Sequence, residues 1–461
     1  MATTTALEAP ASPFRRIPVW RRGPKPRRRT ELGLLVFASA ITVGFYVVAS
    51  VGANGKIPPH VGPILAVILG MALVAHLANR WLAPNASAVI LPIAALLNGI
   101  GYVVIVRFTP SRAKAQATWA AVGLVFYIVT LIAVRHSRDL DRYRYLLLLA
   151  AGLLLVAPLI PHIGVPITGT RLWVRLGPIE FQPIEIAKLL LVVFFASYFA
   201  ENKELLSIPT ARMGNRLVLD PRPLVPILLF WALSMGVIAL EDDIGFAMLI
   251  FTMFVVLLWI TTGRASYIIL SIVLFVVGAV VAAHLFHQVQ TRVHLWLHAP
   301  LNTQLGEGYM ALAHGGIVGA GLGTDHFARY IYAITSDMIF VAIADEMGFI
   351  GAAAVVFAFV LLVAAGLRVA QAARSDFSRL VAVGLSAVLG FQAFFIMAGV
   401  IRLLPFTGIT LPFVAYGGSS LVANYILIAV LMRISEEGAS STTERALGVR
   451  FPEETAFVTA T

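Results

Sequence analysis

Charged residues set against long apolar stretches are where chemistry is to be sought in this sequence. Phe181-Gln182-Pro183-Ile184-Glu185-Ile186-Ala187-Lys188 opens one such stretch. Pro183 suits the first turn of a helix, where its missing N–H costs nothing. Glu185 and Lys188 are three apart, so they share a helix face and can neutralise each other. An ion pair in lipid is expensive, so the pair either fixes helix packing or serves a function. Leu240-Glu241-Asp242-Asp243-Ile244-Gly245 sets three acids before another apolar run, as a cation site or a solvated turn; Asp243 lies deepest.

Further along, Phe286 to His298 reads as a surface helix. Val289, Val293 and Trp296 recur at helical spacing with polar residues opposite, a pattern that lies flat on a membrane. His294 and His298, and His284 and His287, are close enough to consider a metal, but no second helix supplies an obvious carboxylate. Thr335-Ser336-Asp337-Met338 precedes the next apolar run, in which Asp345 and Glu346 follow. Ser336 or Asp337 could cap that helix, which leaves the other acids unexplained. Finally, Leu403 to Ser420 carries two prolines and three glycines, Pro405, Gly408, Pro412, Gly417 and Gly418. Broken backbone at a membrane edge is tolerated only where protein or a water-filled cavity surrounds it.

The elements that hold these residues follow from composition. Of 461 residues, 59% are hydrophobic and 12% charged, about half the charged fraction of a soluble domain. The solvent for most of the chain is lipid. No cysteine is present, which excludes disulfides and thiol chemistry. A crossing helix needs about 20 apolar residues, and the pattern predicts twelve spans: 33–52, 62–79, 87–106, 117–134, 145–161, 183–200, 223–240, 244–261, 266–286, 336–366, 380–401 and 413–432. The fold class is therefore all-α and polytopic. With both termini cytoplasmic, 24 Lys and Arg fall on inside segments and 9 outside, as the positive-inside rule requires. The net charge of +11 comes partly from eight basic residues between Arg15 and Arg29. Next to a span they face anionic lipid headgroups rather than nucleic acid. Residues 1–30 and 436–461 read as disordered tails around a transmembrane domain, 31–435, with a long outer loop at 287–335.

In order along the chain, these blocks resemble the SEDS family of shape, elongation, division and sporulation proteins, typified by RodA and FtsW. Its FQPSE-(hydrophobic)-AK block resembles residues 181–188, with Ile184 for Ser. Its QPDLGT block resembles Glu241 to Phe246, and its RWI segment resembles Arg171-Leu172-Trp173-Val174. Its HTDFIF…EELG block resembles Thr335 to Gly348, and its LPxTGxxLPFxSYGGSS block resembles residues 404–420. The resemblance implies a ten-helix core plus two N-terminal helices. It also implies peptidoglycan glycosyltransferase activity on lipid II in the bacterial cytoplasmic membrane, with a class B penicillin-binding protein as partner. Substrate contacts would fall on Arg171, Lys188, Asp243, Arg292, Asp337, Arg402, Ser419 and Ser420. Glu185, Lys188 and Glu346 would serve as structural ion pairs. The residues identify no cofactor, and a divalent cation is compatible.

One departure bears on mechanism. The family's DPxGxGY stretch, whose Asp is the favoured catalytic residue, corresponds to Thr303-Gln304-Leu305-Gly306-Glu307-Gly308-Tyr309. Threonine stands where the Asp is expected and is no general base at neutral pH. Glu307, the one carboxylate between residues 287 and 324, is the substitute this reading nominates. Two other functions stay open: a non-catalytic scaffold for a penicillin-binding protein, suggested by Thr303, and a transporter of lipid-linked precursors, suggested by Glu185 and Lys188 within a span.

Overall fold

The computed structural model describes residues 28–57, 61–167, 170–177, 179–207, 211–213, 216–218, 232, 236, 243–324 and 327–446. Among these, nine helices are long and apolar enough to cross a bilayer. They are α1 (Arg28–Asn54), α2 (Val61–Leu82), α3 (Ile90–Phe108), α4 (Ala113–Ala133), α7 (Ile244–Thr262), α8 (Ala265–Leu285), α11 (Ile339–Ala372), α12 (Asp376–Val400) and α13 (Gly418–Ala446). Two shorter helices fall on expected spans: α5 (Arg144–Val156) and α6 (Ile184–Glu201). Of the expected span 223–240, the structure describes residues 232 and 236 alone. Between α8 and α11 come α9 (His287–Leu297) and α10 (Gln304–Gly315). The chain is thus an all-α polytopic membrane protein, as composition implied.

Burial shows which helices form the centre. In their most apolar stretches α12 is 78% and α13 83% buried, against 6% for α8, which faces outward almost all round. The side chains of α6 are buried along most of its length. Residue size explains the close approach of α13 to α4: a Cβ on Gly123 would meet the Tyr425 ring, and one on Gly418 the Trp119 ring.

Several boundaries differ from expectation for local reasons. The last span begins at Gly418 rather than 413, because Pro412 and a left-handed Phe413 (φ 63°) hold 405–417 out of helix. It runs on to Ala446, past the boundary expected at 435, while α1 starts at Arg28. The segment between α5 and α6 carries a small antiparallel sheet, β1 (Gly164–Ile167), β2 (Thr170–Leu176) and β3 (Ile179–Phe181), in that order. In α11, Gly348 has φ 66° and breaks the helical path. A side chain there would strike the backbone at Ile317 and Gly319, so glycine lets the 316–324 loop lie against the kink.

The connecting segments gather at two ends. At one, Asn85 meets Glu436, Ser137 meets Glu437, Arg374 reaches the Glu437 carbonyl and Lys203 pairs with Asp376. At the other, Gln182 meets Ser419, Arg292 meets Thr407, Trp296 meets Arg402 and Arg112 meets Thr335.

Candidate active site

The second of these ends collects the blocks singled out in the sequence. Pro183 sits at the start of α6, so Glu185 and Lys188 occupy its first turns, fully buried and paired with each other. Lys188 also donates to Gln392 Oε1 at 2.7 Å, and its Nζ lies 5.5 Å from the Phe246 ring centroid. Gln392 passes the contact on, donating to the Thr410 carbonyl at 2.9 Å. Thr410 donates to Ser420 Oγ at 2.9 Å, which also accepts from Asn424. Ser419 Oγ accepts from the Gln182 backbone N–H, closing the circuit between the first block and the last. A buried charge pair persists only when its remaining bonding capacity is met. Here Glu185 Oε1 is left without a hydrogen-bond partner.

Next to this circuit stand two aspartates and an arginine. Asp243 caps α7, accepting from the Phe246 N–H at 3.1 Å. The α7 start is pressed onto the broken loop: a Cβ on Gly245 would meet the Thr407 carbonyl. Arg292, on the inward face of α9, donates to that carbonyl at 2.9 Å. Asp337 lies in the turn ahead of α11. Burial pushes Asp243 up to about 6, opposed by the Phe246 N–H and by Arg292. Burial likewise pushes Asp337 up to about 7, opposed by Ser336 and Arg292 and reinforced by Asp243. The three groups therefore share one electrostatic neighbourhood, and Arg292 and Asp337 keep part of their surface exposed.

Backbone geometry around them is unusual. Phe413 and Arg402 hold left-handed conformations (φ 63° and 66°) without being glycine, which costs of order 1–3 kcal/mol each and clusters at functional sites. Arg402 is used as a clip: its guanidinium donates to the Trp296 and Leu297 carbonyls, and Trp296 Nε1 donates back to the Arg402 carbonyl. The predicted stripe of α9 is observed, with Val289, Val293 and Trp296 turned inward and His294 and His298 outward. Those two histidines stack on each other at 5.3 Å.

Other expected residues are placed elsewhere. Glu346 pairs with Arg107 at 3.3 Å and accepts from the Gly323 N–H. Asp345 pairs with His314 at 2.9 Å. The backbone of Arg171 lies in β2, while its side chain is outside the described residues. Glu241 and Asp242 are likewise outside them. Thr303 is the N-cap of α10, accepting from the Gly306 N–H at 3.2 Å, a position that Asp would also fill. Glu307 is on the first turn of α10, half-buried. At 100° per residue, it projects well away from Tyr309, whose ring is the one that faces Arg402, at 5.9 Å. Sequence reasoning passed over Gln392, although a glutamine amid Leu389-Gly390-Phe391 and Ala393-Phe394-Phe395 was a visible signal. Arg112, 4.8 Å from the Tyr416 ring centroid, was also missed as a support of the loop.

This assembly matches known proteins along most of its length. The model of the FtsW, RodA and SpoVE cell cycle proteins matches residues 102–440. The chain belongs to that family. It is 35% identical to the peptidoglycan glycosyltransferase RodA of Mycobacterium tuberculosis over 450 residues, 94% of each chain, so the likeness takes in the two N-terminal helices. It is 33% identical to the RodA of Mycobacterium leprae, over 89% of this chain and 90% of that one. A probable peptidoglycan glycosyltransferase FtsW of Geobacter metallireducens is 29% identical over 70% of this chain and 84% of its own. Two solved structures share the fold. A chain of a peptidoglycan synthase complex that coordinates polymerization and crosslinking superposes with a TM-score of 0.62 at 24% identity, over 77% of this chain and 98% of that one. The rod shape determining protein RodA of Thermus thermophilus does so with a TM-score of 0.54 at 24% identity, over 77% and 98%.

Proposed function

We propose that this protein is a peptidoglycan glycosyltransferase that polymerises lipid II at the outer face of the bacterial cytoplasmic membrane. The single observation that carries the reading is the convergence of three segments on the strained loop at one end of the bundle: Arg292 and the α7 start behind Asp243 both meet the Thr407 carbonyl, and the turn that holds Asp337 meets the loop through Thr335 and Tyr416. The family assignment supplies the reaction class, and the relatives' printed names agree with it. The excess of Lys and Arg assigns the opposite end, with both termini, to the cytoplasm. Twelve crossings, including the span at 223–240, fit that arrangement. A class B penicillin-binding protein, which cross-links the strands, is the partner this reading expects.

The chemistry is a displacement at a sugar carbon. An acceptor hydroxyl oxygen attacks the anomeric carbon of the donor. The bond from that carbon to the lipid diphosphate breaks, and the diphosphate departs with the electron pair. The hydroxyl proton needs a base whose pKa lies near the working pH. Asp337, raised to about 7 and partly exposed, fits that role. Arg292 fits the departing diphosphate, since a guanidinium holds phosphate oxygens in a fixed fork. Buried Glu185, Lys188 and Gln392 hold the site loop, and Asp243 orients the α7 start beneath it. Glu307 is the rival base. The test is glycan-strand formation from lipid II by the purified protein with its partner, and strands made without any other polymerase are expected.

Thr303 favours one second reading, a scaffold that positions a penicillin-binding protein without turning over. It predicts no strands from the wild-type chain under conditions where the partner alone is folded and cross-links.

A further inference from the structure

The N-terminal helix pair does not pack on the core evenly. Near the cytoplasm-assigned end, α2 is buried at Ala75, His76, Ala78 and Asn79. There His76 and Asn79 contact Glu31 of α1, and Tyr127 of α4 donates to Asn79. Toward its start α2 leans away, and Pro63, Val67, Leu69, Leu73 and Val74 are exposed. The wedge left between α1, α2, α3, α4 and α13 is a cavity of about 230 Å³. Its room comes from the sequence: Ala38, Ser39, Ala72, Ala95 and Ala120 line it where larger side chains would fill it, and Gly99 lets α3 approach Thr42 of α1. Ile68 and Met71 of α2 and Leu91 and Leu124 across from them complete an apolar wall.

Two more observations distinguish this wedge from loose packing. Asn98, nine-tenths buried, lines the cavity; its Nδ2 donates to the Tyr425 hydroxyl at 3.1 Å while its Oδ1 has no partner. Tyr425, also in the wall, meets Phe413 edge to face at 5.7 Å. Phe413 is the left-handed residue of the site loop, so the back of the cavity touches the loop that Arg292 holds.

We propose that this cavity is a binding site for one hydrocarbon chain of a membrane lipid, seated between the N-terminal helix pair and the core. The walls are mostly apolar, with Asn98 as a polar point, and the medium around them is hydrocarbon. A chain entering past Pro63 and Val67 gains dispersion contacts that an open wedge lacks. Asn98 Oδ1 is left for a donor brought in with the lipid, a hydroxyl or a single water. The chain comes either from a diacyl phospholipid or from a polyprenyl carrier, and its presence bears on the site through Tyr425 and Phe413.

The test is photolabelling of the full chain in nanodiscs. One arm carries a phospholipid with a diazirine in its acyl chain, the other a polyprenyl phosphate with a diazirine in its isoprenoid chain. Labelled residues are mapped by mass spectrometry. The expected result is severalfold more label at Ile68, Met71 and Ala38 than at Leu69, Leu73 and Val74 on the lipid-facing side of α2, with one of the two probes. That label saturates and is competed by the unlabelled lipid, while the lipid-facing label is not. Ala72→Phe, which fills the cavity, removes the difference; should that variant fail to fold, the competition experiment alone decides. Equal label on both faces of α2, or inward label that excess lipid does not displace, overturns the proposal.

Discussion

Two ends of this molecule bury charge, and they do so differently. At the cytoplasm-assigned end Glu31 is fully buried, but it faces Arg28, His76 and Asn79. Arg28 also binds the carbonyls of Ala83, Pro84 and Ala86, and Arg433 those of Leu82 and Leu131, where helices end and carbonyls lack partners. Glu31 and Arg28 there are each met by several neighbours, although Arg433 Nε and Arg379 Nε have no hydrogen-bond partner. At the site end Asp243 and Asp337 share one arginine, whose named hydrogen bond goes to a backbone carbonyl. Glu185 Oε1 and Thr407 Oγ1 lack hydrogen-bond partners, and Ala333, Arg402 and Phe413 are left-handed without being glycine. Charge met by many neighbours holds helices together; charge short of partners beside strained backbone is where a substrate would supply what is missing.

That contrast can be broken from either side. The largest expected effect is on turnover. Asp337→Asn should lower the rate of strand formation about 10²–10⁴-fold, the usual worth of a positioned base. Arg292→Gln should lower it about 10²-fold or more through lost stabilisation of the departing diphosphate. Neither should lower the thermal midpoint. At the other end the effect is on folding. Glu31→Ala strands Arg28 in a buried site and should cost about 3 kcal/mol, read as a lower midpoint in detergent. Turnover per folded molecule should stay unchanged.

The pH dependence sharpens the comparison. Asp337 is raised above its ordinary value, chiefly by burial. As a base it works ionised, so turnover should fall as pH drops through about 7. The stability sign is opposite. A carboxyl with a raised folded pKa contributes stability that is present below its unfolded value and lost as pH rises through the folded one. Asp337→Asn at pH 8, measured by thermal unfolding, should therefore be as stable as wild type or more so. The smallest effects are expected on α10. Glu307→Gln should change turnover by no more than roughly twofold, because a residue outside the transition-state contacts leaves kcat/KM near wild type. Thr303→Asp keeps an equally good N-cap and should move stability by less than about 0.5 kcal/mol.

Much of this was legible in the sequence. Local spacing placed Glu185 and Lys188 on one helix face, and Pro405, Pro412 and the glycine pair announced broken backbone, because both are properties of a few consecutive residues. The stripe of α9 was legible for the same reason. The partners were not. Gln392 lies 204 positions from Lys188, and no local pattern joins them. Glu31 drew no notice, since His76 and Asn79 meet it only after α2 folds back. The small sheet within 162–182 was missed because its strands are four, seven and three residues long, too short for alternation to speak. Glu307 drew attention as an isolated carboxylate in its segment; its phase on α10, well away from the Tyr309 ring that lies beside Arg402, needs the fold.

The most direct test of this account is strand formation from lipid II by Asp337→Asn alongside Glu307→Gln, each purified with the partner and shown to be folded. The account predicts that Asp337→Asn is almost inactive while Glu307→Gln works near the wild-type rate. Near wild-type strands from Asp337→Asn, with Glu307→Gln inactive, would contradict it and move the base to α10.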